Sequence, residues 1–136
     1  MTIAAALEIV PLAPERLPEF LAWFDETVGM RPVWLCPLRS LRTWPSYPLR
    51  PGKTYVNVGF WGTVPIGPGA RDGDRNRAVE AEVAALGGHK SLYSDVYYDR
   101  ETFDLLYDQT FARRVRKETD PDGRLTELYE KAVGRR

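Results

Sequence analysis

The sequence contains one cysteine, Cys36, and one histidine, His89. A single thiol excludes an intrachain disulfide and points to a reducing compartment. One cysteine and one histidine cannot build a structural zinc site, so no metal is expected. Net charge is also lacking, because nineteen basic residues balance nineteen acidic ones. There is therefore no electrostatic case for a nucleic acid or an anionic membrane as partner. No apolar run approaches the ~20 residues of a membrane span. Residues 1–7 have neither the charged nor the long apolar region of a signal peptide. A cytoplasmic protein is the expectation. The sequence lacks a phosphate-cradling motif: Gly67-Pro68-Gly69 is not followed by Lys-Ser/Thr and reads as a loop. Internal repeats and low-complexity segments are absent as well.

The chain does have enough apolar residues for a core. At 136 residues, 43% hydrophobic and 28% charged, it reads as a single domain, 1–136. Residues 4–10 read as a first strand ended by Pro11. Over 15–28, Leu17, Phe20, Leu21, Phe24 and Val28 recur every three or four residues, one apolar stripe of a helix stopped by Gly29. Residues 32–38 form a short apolar run between turn signals, read as a mostly buried second strand. A loop over 39–52 holds Pro45, Pro48 and Pro51 with Trp44 and Tyr47 among them; it is longer than packing alone requires.

A third strand spans 54–64. Tyr55, Asn57, Gly59 and Trp61 share one parity there, and Val56, Val58 and Phe60 the other. Asp74 caps a helix over 75–86 that Gly87-Gly88 stops, and 87–98 reads as a fourth strand. Asp99 caps a third helix to about residue 117 with the stripe Phe103, Leu106, Tyr107, Phe111 and Val115. Its basic cluster, Arg113, Arg114, Arg116 and Lys117, reads as a solvated face. Asp120-Pro121-Asp122-Gly123 is a turn before a last short helix. The class is α+β. The order β-α-β-β-α-β is the split-βαβ, ferredoxin-like arrangement, an antiparallel sheet with helices over one face, followed by two C-terminal helices.

Chemistry concentrates in 87–98. Tyr93, Asp95 and Tyr97 share strand parity, and Lys90 stands close by. Phenols and an ammonium donate protons or stabilise charge, and a carboxylate orients them; half-buried strand residues look the same. His89, after the glycine pair, reads as a solvated loop histidine. Cys36 reads as an inert thiol in an apolar strand. Ser91 or Ser94 with His89 and Asp95 could be drawn as a triad, but no nucleophile elbow supports it.

Several ordered motifs carry a family resemblance: Val33-Trp34-Leu35-Cys36-Pro37; Tyr55-Val56-Asn57-Val58-Gly59-Phe60-Trp61-Gly62; Lys90-Ser91-Leu92-Tyr93-Ser94-Asp95-Val96-Tyr97-Tyr98; Tyr107; and Asp120-Pro121-Asp122-Gly123 with the helix after it. Together they resemble the C-terminal part of FAD-linked oxidoreductases of the vanillyl-alcohol-oxidase type, most of all the Δ24-sterol reductase-like branch. The resemblance runs from about residue 5 to 134. It implies a cap domain whose sheet covers the flavin and shapes a pocket for a hydrophobic small-molecule substrate. Nothing in the sequence resembles the flavin-binding domain of that family. FAD is thus expected to arrive through a partner domain or subunit, and this chain alone to be inactive.

By the resemblance, Tyr93 and Asp95 are the catalytic candidates, for proton donation or orientation. Asn57, Trp61 and Tyr97 lie on the cofactor side, and Trp34 and Cys36 line the substrate pocket. Some relatives carry a lysine shortly after the matching tyrosine, where this sequence has Asp95, Val96 and Tyr97. The rival reading is a stand-alone ferredoxin-like module that binds or dimerises through its open sheet face without catalysis. A hydrolase using His89 or Cys36 is a third reading.

Overall fold

The computed structural model describes residues 2–92 and 94–134, and of residues 2–10 the backbone alone. Three strands form an antiparallel sheet in the order β1-β3-β2: β1 (Thr2–Leu12), β2 (Val33–Arg39) and β3 (Thr54–Ile66). The register pairs Val10 with Val58 and Leu35 with the same residue from the other side. Both outer strands are edges. This is why β1 continues through Pro11 and β2 tolerates Pro37, since a missing N–H costs little where no neighbour awaits it.

Even-numbered positions of β3 face the core. Val58 and Phe60 cluster there with Leu12 and with Phe20 and Phe24 of α1 (Leu17–Thr27). The Phe24 and Phe60 rings stand 4.4 Å apart between centroids. Val79 and Val83 of α2 (Asp74–Ala85) complete this cluster, so both helices cover one face of the sheet. The N-cap of α2 is Gly73, with φ +77°, rather than Asp74, whose carboxylate accepts from the Arg71 N–H at 2.7 Å. Glycine is required at 73 because a Cβ would collide with the Tyr97 ring.

Beyond the reach of β1 and the cap of α2, three whole elements depart from the sequence reading. The expected fourth strand over 87–98 does not form: among its described residues none is in a strand. A strand with one covered face alternates buried and exposed side chains, whereas four successive residues, Gly88 to Ser91, are all buried. Lys90 is completely buried and directs its ammonium to Glu80 of α2 at 3.2 Å. The second oxygen-side contact of Lys90 is the Asp95 carbonyl, and the Tyr97 N–H is taken by Glu80 Oε1 at 2.9 Å. Side chains of the helical layer have claimed the groups a sheet ladder would need.

The long helix expected after Asp99 is two helices, α3 (Arg100–Leu106) and α4 (Gln109–Thr119). Asp99 caps the first through the Thr102 N–H, and Asp108 caps the second through the Thr110 N–H. Side-chain competition at Asp108 breaks the helix. Phe103 and Tyr107 enter a second core with Val96, Tyr98 and Ala132, the last from α5 (Leu128–Ala132). Phe111 and Val115, beyond the break, stay exposed. Finally, β2 is not mostly buried: Trp34 and Leu35 are exposed because the strand is an edge that the helices do not reach.

The buried Glu80–Lys90 pair makes a stability test. Lys90→Met strands a carboxylate in the interior and is expected to cost about 3–5 kcal/mol. Adding Glu80→Gln, which keeps an acceptor for the Tyr97 N–H, should recover a large part of that loss. Urea unfolding of both variants checks this; a double variant no more stable than Lys90→Met alone would contradict it.

Candidate functional site

Odd-numbered residues of β3 point away from the helices, and the register sets residues of β2 beside them. Cys36 pairs with Asn57, and Trp34 pairs with Gly59. Trp61 is 78% exposed and Trp34 54%. Asn57 Oδ1 is buried and has no hydrogen-bond partner among the described residues. The Cys36 thiol lies 3.7 Å from the Pro37 carbonyl, a weak contact at most. Four of the expected residues, Trp34, Cys36, Asn57 and Trp61, thus share one bare face. That face can stack on a planar group through its two indoles, while Asn57 Oδ1, being buried, would have to turn outward to accept a hydrogen bond there. It supplies no carboxylate, ammonium or imidazole from these four positions.

Tyr97 and Asp95 are not part of that face. The Tyr97 ring lies against Gly73, with the Arg77 guanidinium 5.1 Å and the Lys90 ammonium 5.7 Å from its centroid. All of these groups stand around α2, which covers the opposite side of the sheet. Asp95 is exposed beside them and contributes its carbonyl to Lys90. Tyr93 lies outside the described residues. Burial pushes the Glu80 carboxyl up, and the neighbouring Lys90 ammonium and the Tyr97 N–H oppose that rise. The arrangement is a clasp: a desolvated charge pair held by hydrogen bonds on both partners.

A third feature escaped the sequence reading. A cleft of about 890 Å³ opens where β1 ends and β3 begins, between the loop before β3 and the turn at Gly87–His89. Trp44, Tyr47 and Leu106 form apolar wall, and Glu15, Arg50 and Lys53 are its charged lining residues. His89 belongs to its inner wall and is only 3% exposed, so it is not the solvated loop residue that its glycine neighbours suggested. The Tyr47 ring meets His89 edge-on at 5.0 Å, and Tyr47 donates to Ser91 Oγ at 3.2 Å. His89 Nε2 has no partner among the described residues. Burial pulls the imidazole down to about 4, which keeps it neutral near pH 7. What buries it is the glycine beside it: a Cβ at Gly88 would strike Leu12 and the Pro11 carbonyl, so the turn sits directly on the end of β1. Nothing local in the sequence announced that contact. Among the described residues, no group of three His, Cys, Asp or Glu is arranged to hold a metal ion, and no helix is long and apolar enough to cross a membrane.

Comparison with known proteins points to one group. The chain is 27% identical to Delta(24)-sterol reductase of Rattus norvegicus over 135 residues, 90% of this chain and 24% of that protein. It is 31% identical to Delta(24)-sterol reductase homolog dhcr-24 of Caenorhabditis elegans over 109 residues, 75% of this chain and 19% of that protein. The Homo sapiens Delta(24)-sterol reductase is 26% identical over 135 residues. The chain is homologous to part of these reductases and spans about a quarter of their length or less, 24% and 19% in the rat and nematode proteins. No protein-family model matches the chain, and no solved structure matches it.

His89 yields a pH test with a definite sign. Its folded-state value is about 4 against an ordinary 6.5, so the unfolded chain binds the proton more readily. The stabilisation is complete above pH 6.5 and is lost as pH falls toward 4, by up to about 3 kcal/mol. His89 is the only histidine, so its imidazole signals are assigned directly in NMR. A titration midpoint near the ordinary histidine value would contradict the burial argument. Comparison of unfolding against pH with His89→Gln isolates this contribution from that of the carboxylates.

Proposed function

We propose that this chain is the cap, or substrate-side, part of an FAD-dependent oxidoreductase, with its bare sheet face laid over the flavin ring. The observation that carries the reading is that face. Trp34 and Trp61 stand exposed on it beside Cys36 and a buried, unpartnered Asn57 Oδ1. A paired-tryptophan patch left open on one side of a sheet is a surface built to be covered. The similarity to Delta(24)-sterol reductases over 90% of the chain supports the choice of occupant.

The residues fit one part of FAD and not the whole. Indole rings and an amide oxygen suit a planar, hydrogen-bonding ring, which supplies the redox chemistry when bound. The sequence has no glycine-rich motif to hold the phosphates. Retention of the cofactor therefore falls to a flavin-binding part outside these 136 residues, in the same polypeptide or in a partner. In this reading Trp61 stacks, Asn57 orients, and Trp34 and Cys36 border the substrate, a hydrophobic small molecule. Tyr93 and Asp95 are assigned proton delivery by the resemblance alone, and Tyr97 serves to anchor their segment against α2. The β1-α1-β2-β3-α2 order is read as five elements of a ferredoxin-like arrangement, with the outer edge of β1 left for a further strand.

The test uses the chain and a separately produced flavin-binding part of a sterol reductase. The purified chain alone is expected to be colourless and inactive; a yellow preparation with flavin absorbance would sink the division of roles. Mixing should change the flavin fluorescence of the partner saturably. Trp34→Ala with Trp61→Ala should abolish the change, while Leu105→Ala, an exposed residue of α3, should leave it intact. If the chain instead forms a dimer that the tryptophan substitutions dissolve, the face serves self-association and the binding-module reading takes over.

A further inference from the structure

The cleft at the end of the sheet has a feature that the flavin reading does not use. Arg50-Pro51-Gly52-Lys53 is a closed turn, with the Lys53 N–H donating to the Arg50 carbonyl at 3.3 Å. Proline at the second position and Gly52 at φ +76° at the third match a type II turn. The turn is pinned from three sides. Gly52 N–H donates to the Ser40 carbonyl at 2.9 Å, Arg39 Nε donates to the Gly52 carbonyl at 2.9 Å, and the Arg50 N–H donates to the Tyr55 hydroxyl at 3.1 Å. Two cations are thereby held at the two ends of one rigid turn, on the rim of a cleft. Neither is in an ion pair among the described residues. The rest of the wall includes the apolar and aromatic Trp44, Tyr47 and Leu106 and also the carboxylate of Glu15, and His89 lines it with Nε2 unsatisfied among the described residues.

We infer that this cleft binds a small organic anion with a ring body, its carboxylate or phosphate held by Arg50 and Lys53 and its ring seated on Trp44, Tyr47 and Leu106. The reasons are size, charge and preorganisation. A volume of about 890 Å³ falls within the roughly 300–1,000 Å³ of small-molecule sites. The two cations, neither ion-paired among the described residues, outnumber the single carboxylate of the lining, Glu15, so the cleft favours an anion. Because the turn's backbone is already ordered, the entropy lost on binding is confined to the two side chains and the ligand. A purely apolar ligand would leave the two cations unanswered, and an inorganic anion would leave the aromatic wall wet. The inference does not depend on the flavin reading, which concerns the outward face of the sheet.

The probes are naphthoate, naphthyl phosphate and naphthol, titrated into the whole chain while the imidazole NMR signals of His89 are followed. Naphthoate or naphthyl phosphate is expected to shift those signals saturably, and the tighter of the two identifies the anion. Naphthol, with the same ring and no charge, should bind weaker by about tenfold or more. Arg50→Glu with Lys53→Glu should weaken the anion by a similar factor, with an unchanged circular dichroism spectrum. If the reversed pair disturbs folding, Arg50→Gln with Lys53→Gln takes its place. No saturable shift with either anion, naphthol bound as tightly as the anions, or an affinity indifferent to both charge variants would each overturn the inference.

Discussion

The Glu80–Lys90 pair is the constraint on which the arrangement of this chain depends. Both partners are essentially excluded from water, and each is answered more than once. Glu80 also takes the Tyr97 N–H at 2.9 Å, and Lys90 also meets the Asp95 carbonyl. A buried ion pair is weak evidence for stability in itself, since desolvation offsets most of the attraction. Its force here is positional. The Lys90 carbonyl accepts the Tyr107 hydroxyl from the end of α3, and burial pushes that phenol up, out of any acid–base role near neutral pH. One residue therefore joins the sheet-and-helix core to the second core built on Phe103 and Tyr107. Without a partner on α2, Lys90 would have to reach water, and the segment from 87 to 98 would lie elsewhere.

That placement decides what the sheet can do. Because the described residues of 87–98 are drawn to the helical layer, they neither extend the sheet nor fold over its other face. The face with Trp34 and Trp61 stays open while the reverse is filled by Phe24, Val79 and Val83. The asymmetry is expensive for a chain left alone, because two indoles remain in water where either would stabilise an interface. The orphaned Asn57 oxygen adds to the cost, since a buried polar atom without a partner loses its hydration for nothing in return. A covering partner would bury the two indoles.

Much of the sheet was legible in the sequence, because period-two alternation in β3 and period-three-to-four stripes in α1 are direct consequences of backbone geometry. The parity argument correctly set Asn57 and Trp61 on one side and Val58 and Phe60 on the other. The same argument failed for 87–98, where Tyr93, Asp95 and Tyr97 have strand spacing but the chain is held by a lysine reaching a glutamate ten positions away in sequence. Periodicity reads only the local chain, and a long-range buried charge pair overrides it. The break at Asp108 was missed for a related reason: an aspartate that caps locally looks like any polar residue inside an amphipathic stripe. His89 was misjudged because its burial comes from Gly88 touching the end of β1, a contact between residues far apart in the chain.

The candidate site divides in the same way. Trp34, Cys36, Asn57 and Trp61, which lie on regular strands, come together on one face of the sheet, and none of them carries a carboxylate, ammonium or imidazole. The ammonium, carboxylate and imidazole of Lys90, Asp95 and His89 lie on irregular backbone, and two of them are committed to the interior. A surface that can bind a ring but not move a proton is incomplete as a catalyst and sufficient as a cover. In the proposed cap reading, this separation leaves the chemistry to be completed by another body, while the chain's own polar groups hold the helical layer together.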